Sequence, residues 1–227
     1  MSITSIEIPP EACSEYRFLL SRGYPDKGAL KLVGDRYRLS RLERNCLFRG
    51  TVDDETAESR RRKIVSPGGA CGASLGVDWY NVLITVETYL KGGVLFLADD
   101  GVTRDAAAVH GSWRPSPVTE TATDAIVSAL GRIGPKRIDV FLDAPVAFSG
   151  ELAAALRGRI GDAVPGAAYE VALAASADWP LKRYQGIVAS SDSVVLDSAS
   201  KVLDLARHAL QGRYGFNPAP IGARRSP

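Results

Sequence analysis

Sulfur and imidazole are scarce in this sequence, which carries three cysteines, one methionine and two histidines in 227 residues. Cys13, Cys46 and Cys71 are an odd set without C-x-x-C spacing, and only His110 and His208 accompany them, so neither a zinc site nor a disulfide framework is expected. A reducing, cytoplasmic compartment fits that usage. No apolar run approaches the roughly 18 residues of a membrane span, and the opening "MSITSIEIPPEAC" has no basic segment leading into an apolar core, so neither export nor a membrane partner is expected. A strong charge of one sign is missing as well. The net charge is +2, and any attraction to nucleic acid must therefore come from local clustering. There is no internal repeat.

What is present is ordinary globular composition, 45% hydrophobic and 24% charged, in a chain long enough for one filled α/β domain and a small appendage. Two shifts divide it. "TVDDETAESRRRKIVSPGGACG", residues 51–72, mixes acid, base, Pro and Gly without apolar periodicity and reads as a linker. "GFNPAPIGARRSP" reads as a short extended or disordered tail. The expected domains are a basic helical module with its linker, residues 1–64, and an α/β domain over 65–227.

Residues 15–50 have helical texture, with Leu19, Leu20, Leu30, Leu32, Val33, Leu39, Leu42 and Leu47 as the available core. "SRLE" at Ser40–Glu43 fits a capping box. After the linker, short β-branched runs alternate with amphipathic segments, which predicts a mainly parallel sheet. The expected strands are "ASLGV", "RIDVFL", "AYEVALAA" and "GIVAS". Helices are expected over "TETATDAIVSALGRIG" and "SGELAAALRGRIG", and over "SASKVLDLARHALQG" with Ser198 as cap and Gly212 as stop. "VLFLADDGVTRDA" carries an Asp-Gly pair between extended runs, the signature of an antiparallel hairpin.

Each parallel strand ends in aspartate or reaches one within three residues: Asp78, Asp143, Asp178 and Asp192. Parallel strands bring their ends to one rim, where open α/β sheets bind ligands. Neighbouring strands lie about 4.8 Å apart, and carboxylates that close repel unless a cation neutralises them. Oxygen ligands of this kind suit Mg2+ or Mn2+, which can activate a water against a phosphodiester. Any one of these aspartates also serves as a cap or turn residue. Asn81 is a candidate neutral ligand, or the orienter of Asp78, and equally a helix cap. Ser190, Ser191 and Ser193 are candidate partners of Asp192 or of a phosphate.

These residues resemble the PIN-like nucleases, particularly their NYN branch, in "VDWYN", "VFLDAPV", "SADWPL" and "VASSDS", over roughly residues 73–212. The resemblance implies a PIN-like three-layer α/β domain, here preceded by a small helical module, and a metal-dependent ribonuclease site of Asp78, Asp143, Asp178 and Asp192 assisted by Asn81. Trp79 stands where that branch commonly has a small residue, and its bulk is expected to narrow the site or stack on a base. The whole chain also resembles the prokaryotic family of unknown function DUF434, through "RFLLSRGYPDKGALKLVGDRYRLSRLERNCLFRG" and "DDGVTRDAAAVHGSWR".

Arg17 to Arg49 holds nine basic residues against three acids, a local excess of six. Arg36, Arg38, Arg41 and Arg44, interleaved with Tyr37, suit phosphate contacts on RNA, and a solvated helix face would look the same. "VHGSWRP" gathers His110, Ser112, Trp113 and Arg114, of which Trp113 and Arg114 can stack on and pair with a single strand, or Trp113 can anchor the loop. The expected function is cleavage of RNA. The rivals are a catalytically inactive RNA-binding or regulatory adaptor that retains the PIN-like fold and a phosphatase using Asp143, the latter disfavoured because Pro145 stands where a second aspartate belongs.

Overall fold

The computed structural model describes residues 6–106 and 113–223. His110 and Ser112 of the expected Trp-Arg loop, and the last four residues of the tail, lie outside them. In chain order the elements are α1 (Pro10–Ser21), α2 (Asp26–Arg36), α3 (Arg41–Gly50), α4 (Asp54–Arg61), α5 (Pro67–Ala70), β1 (Ser74–Asp78) and α6 (Trp79–Leu90). A hairpin follows, β2 (Leu95–Leu97) and β3 (Thr103–Asp105), then α7 (Thr119–Ile133), β4 (Arg137–Asp143), α8 (Ser149–Ala163) and β5 (Ala168–Ala174). The chain ends with α9 (Asp178–Leu181), β6 (Ile187–Ala189), α10 (Ser193–Ser198), β7 (Lys201–Val202) and α11 (Leu205–Tyr214). These elements form two compact units, one of Met1–Arg62, Gly92–Ala108 and Pro218–Pro227, the other of Lys63–Lys91 and Val109–Asn217.

In the first unit, α1 to α3 close over a core of Ala12, Tyr16, Val33, Leu39, Cys46 and Leu47, joined by Val94, Phe96 and Ala98 of the hairpin. Ser40 caps α3 with the expected reciprocal box, its hydroxyl accepting from Glu43 N while Glu43 accepts from Ser40 N. Leu32 and Leu42, expected in the core, are exposed. The expected linker is instead helical over α4. Asp53 accepts from Thr56 N, acids open the helix and Arg60 and Arg61 close it, as the helix dipole favours. Its periodicity is hard to see because only Ala57 and Arg60 are buried. The expected disordered tail is held too, since Leu97 donates to Ala219 O and accepts from Ile221 N, both at 2.8 Å.

Asp100, at the Asp-Gly turn of the hairpin, is fully buried between two arginines. Arg104 reaches both of its oxygens at 2.7 Å, and Arg60 adds a contact at 3.0 Å. The two guanidinium groups hold its carboxyl below the usual range against the opposing effect of burial.

The second unit is built on a five-stranded parallel sheet of order β5-β4-β1-β6-β7 among the described residues. Leu75, Val77, Ile138, Val140, Leu142 and Val188 are fully buried in it, which is what a sheet covered on its faces requires. Helices α6, α7 and α11 pack on one another, and α8 lies on β4 and β5. The last helix differs from expectation: it starts at Leu205 under an Asp204 cap, and Gly215, not Gly212, ends it in the left-handed conformation. Lys201 and Val202 are drawn out as β7 because they pair with Ile187 and Val188.

Replacing Asp100 with Ala leaves two buried guanidinium groups without the carboxylate between them. The expected loss is about 3–5 kcal/mol in urea unfolding, and a loss under 1 kcal/mol would assign this triad no more than a surface pair contributes.

Candidate active site

β1 lies between β4 and β6, and the chain moves from β1 to β4 and β5 on one side before returning to β6 on the other. The carboxyl ends of β1 and β6 therefore flank the point where strand order reverses, the usual ligand crevice of an open parallel sheet. A cleft of about 340 Å3 opens there, and Asp78, Asn81, Asp143, Asp178 and Asp192 all line it, together with Tyr80 and Trp113.

Asp78 ends β1 and caps α6. One carboxylate oxygen accepts from Asn81 N at 3.3 Å and the other from the Ser190 hydroxyl at 2.8 Å. Burial pushes its pKa up to about 7, against the pull of those two hydrogen bonds, and the nearby Asp143 and Asp178 add to the rise. Asp143, at the end of β4, accepts from Ala177 N at 2.8 Å and so fixes the turn that leads to Asp178. Asp192 caps α10 with one oxygen, which accepts from Val194 N and Val195 N. Its own N–H donates to the Ser190 hydroxyl. Ser190 thus joins the ends of β1 and β6.

Asn81 does not present its oxygen to the cleft as a spare ligand. That atom accepts from both Ser191 N, at 2.8 Å, and Ser191 Oγ, at 2.9 Å, so its two lone pairs are used and it works as a tether for the end of β6. Among the described residues no group of three or more His, Cys, Asp or Glu side chains is drawn closely enough to hold a metal ion. Carboxylate oxygens are the donor class that hard cations such as Mg2+ take, and Mg2+ binds through one or two carboxylates with water in its remaining positions.

Trp79, expected to narrow the site or meet a base, is 0% exposed and absent from the cleft wall. Trp113 is a wall residue, 4% exposed, with its ring 5.1 Å from that of Tyr80. Its burial leaves Arg114 as the exposed member of that pair. Tyr80 was not legible as a site residue. Its buried hydroxyl has no hydrogen-bond partner among the described residues, and burial followed by the charge of Asp143 pushes its pKa up to about 12.

The basic residues of the other unit are unequally available. Arg44 donates to Leu39 O and Asp35, Arg17 pairs with Asp99, and Arg49 with Asp105. The hairpin brings in the last two acids, which a count over residues 17–49 misses. Arg36, Arg38 and Arg41 stay exposed, Arg36 with a loose contact to Glu15 at 3.4 Å.

The family model described as "Domain of unknown function (DUF5616)" matches residues 69–208. The chain belongs to the DUF5616 family. A second model, "Protein of unknown function (DUF434)", matches residues 10–63, so the likeness to DUF434 expected over the whole chain is confined to the helical part, and "DDGVTRDAAAVHGSWR" falls within the DUF5616 match. The DUF5616 chain is 30% identical over 204 residues to the uncharacterized protein MJ0935 of Methanocaldococcus jannaschii, covering 88% of this chain and 96% of that one. No solved structure matches it. No helix among its described residues is long and apolar enough to cross a membrane.

Asp78 in the folded, metal-free DUF5616 chain keeps a proton that the unfolded chain releases near its ordinary value of 3.8. The stability that this proton contributes is therefore fully present below that value and is lost as pH rises to about 7. In chelator, the melting temperature is expected to fall between pH 5 and pH 8, and Asp78→Asn, which holds no titrating proton, should flatten that fall. Parallel curves for parent and variant would show that Asp78 is not desolvated.

Proposed function

We propose that this chain is a divalent-metal-dependent ribonuclease, with the second unit a PIN-like domain of the NYN kind. One observation carries the reading: four aspartates, at the ends of β1 and β4 and within four residues after β5 and β6, line a single cleft, and the pKa of the most buried of them is raised by desolvation and by two of the others. A site arranged in this way gains free energy from a cation.

Asp78, Asp143, Asp178 and Asp192 are the residues that would hold Mg2+ or Mn2+. Such an ion, when bound, supplies an activated water and offsets charge developing on the phosphodiester. Ser190 holds the Asp78 carboxylate in place, and Asn81 holds the chain at Ser191 so that Ser190 and Asp192 keep their positions. Tyr80 and Trp113 form an aromatic side of the cleft. Arg36, Arg38, Arg41 and Arg114 are exposed cations available to RNA phosphates. The rival reading is an RNA-binding adaptor without chemistry. It draws on the spacing of the acids, none of which form a tight metal-holding group among the described residues.

A time course on end-labelled single-stranded RNA separates the two. The parent should cut with Mn2+ and stop in chelator, and Asp78→Asn should lose roughly two orders of magnitude or more while still binding RNA. Asn81→Ala should lose about 10- to 100-fold, as removal of a group that orients a ligand does. A parent inactive with both Mg2+ and Mn2+ would favour the adaptor, and cutting that survives chelator would sink the metal reading.

The cationic face has its own test. Changing Arg36, Arg38 and Arg41 to Gln should lower the salt slope of RNA binding by up to about 2, at roughly 0.7 per lost contact on a single strand. Arg44→Gln should reduce stability and leave the slope alone, because its guanidinium is committed to Asp35 and Leu39. An unchanged slope in the triple variant would make this a solvated face.

A further inference from the structure

Trp179 follows Asp178 directly and is the most exposed large apolar side chain among those of the described residues, at 67%. The other two tryptophans are buried. An indole left in water one residue beyond Asp178, which lines the cleft, is unlike the fate of Trp79 and Trp113, and its local setting is specific. The Arg183 guanidinium lies over the ring, 4.8 Å from its centroid, and Arg183 donates to the Trp179 carbonyl at 3.4 Å. Among the described residues Arg183 enters no ion pair, so its charge is available.

The turn that carries this pair is rigid. Leu181 is buried, and Leu181 and Tyr184 press on β1 where Gly76 stands, so closely that a Cβ there would lie 3.0 Å from the Tyr184 ring. The Tyr184 hydroxyl donates to Asp139 at 2.5 Å, and Arg137 donates to both oxygens of the same carboxylate. Asp139 is the register partner of Gly76, so ring packing and hydrogen bond fix the turn at one place on the sheet. At the other end of the turn, Asp143 holds Ala177 N.

We propose that Trp179 and Arg183 form a stacking platform for one unpaired base of the RNA, which makes the substrate single-stranded beside the phosphate at the carboxylates. The location of that phosphate rests on the ribonuclease reading above. One face of the indole is covered by Arg183 and the other takes a base of any identity, since every base has a π face. The guanidinium meets the adjoining phosphate, and the acidic cleft alone would repel RNA without it. A duplex keeps its bases stacked internally and offers none to the ring.

The test is tryptophan fluorescence in chelator, where nothing is cut, with single-stranded oligoadenylate and oligouridylate and with the duplex they form. Single strands should quench the parent's exposed tryptophan, and duplex should quench far less. Trp179→Leu should remove the quench and weaken single-strand binding roughly 5- to 100-fold, with an unchanged melting temperature because the ring is not in the core. Trp179→Phe should recover part of the affinity. Arg183→Gln should lower the salt slope by roughly 0.7, one single-strand contact. Equal quenching by duplex, no quenching by either single strand, or unchanged affinity in Trp179→Leu would overturn the platform. A parent that quenches but never cuts keeps the platform and removes the nuclease. A parent that cuts while Trp179→Leu binds and quenches like it does the reverse.

Discussion

The parallel register of β1 between β4 and β6 is the constraint from which the candidate site follows. Asp78 is opposite Phe141 of β4, two residues before Asp143, and Val77 is opposite Ala189 of β6, with Ser190 next. Once the apolar residues of these strands are buried, the polar residues that follow them have no choice of location: they emerge together at one rim. Ser190 then joins two of the ends through a single hydroxyl, donating to Asp78 and accepting from Asp192 N. Repulsion among the carboxylates is tolerated because the hydrophobic sheet beneath them is already closed.

The capping role and the cleft role of these aspartates are not alternatives. Asp78 and Asp192 both cap helices, and Asp143 fixes a turn, while all three still face a common space. Capping uses an oxygen that is already directed along the chain, and it immobilises the carboxylate at the same time. A group held in this way loses less freedom when it meets a ligand. The bland reading of each residue therefore supplies the rigidity that the functional reading needs.

Much of this was legible from the residues alone, for definite reasons. The strands and the hairpin announced themselves by β-branched runs and by an Asp-Gly pair, and the common rim followed from parallelism. What stayed hidden depended on partners distant in sequence. α4 looked like a linker because it is charged all round and is held by Arg60 reaching Asp100 of a hairpin 40 residues on. The oxygen of Asn81 is taken by Ser191, a partner 110 residues away that no local pattern discloses. Trp79 and Trp113 looked like candidates for contact because they flank polar residues, whereas the exposed ring is Trp179, inside a motif read only for its aspartate. The start of the last helix is hidden in the sequence because the two-residue strand β7 before it carries almost no pattern of its own.

The hairpin leaves one unit's chain to complete the other's core, and the chain's final segment does the same beside it. The two matched families meet between residues 63 and 69, yet the folded units are interleaved across that border, with β2 and β3 inside the DUF5616 match but buried against α1 and α3. No single cut in the gene separates them. A fragment beginning at the family border would carry Val94, Phe96 and Ala98 with nothing to cover them, and a fragment ending there would lack the counter-charge of Asp100 for Arg60. A truncation that keeps one family match and drops the other therefore removes part of a folded unit, so the two matches can be studied intact only in one chain.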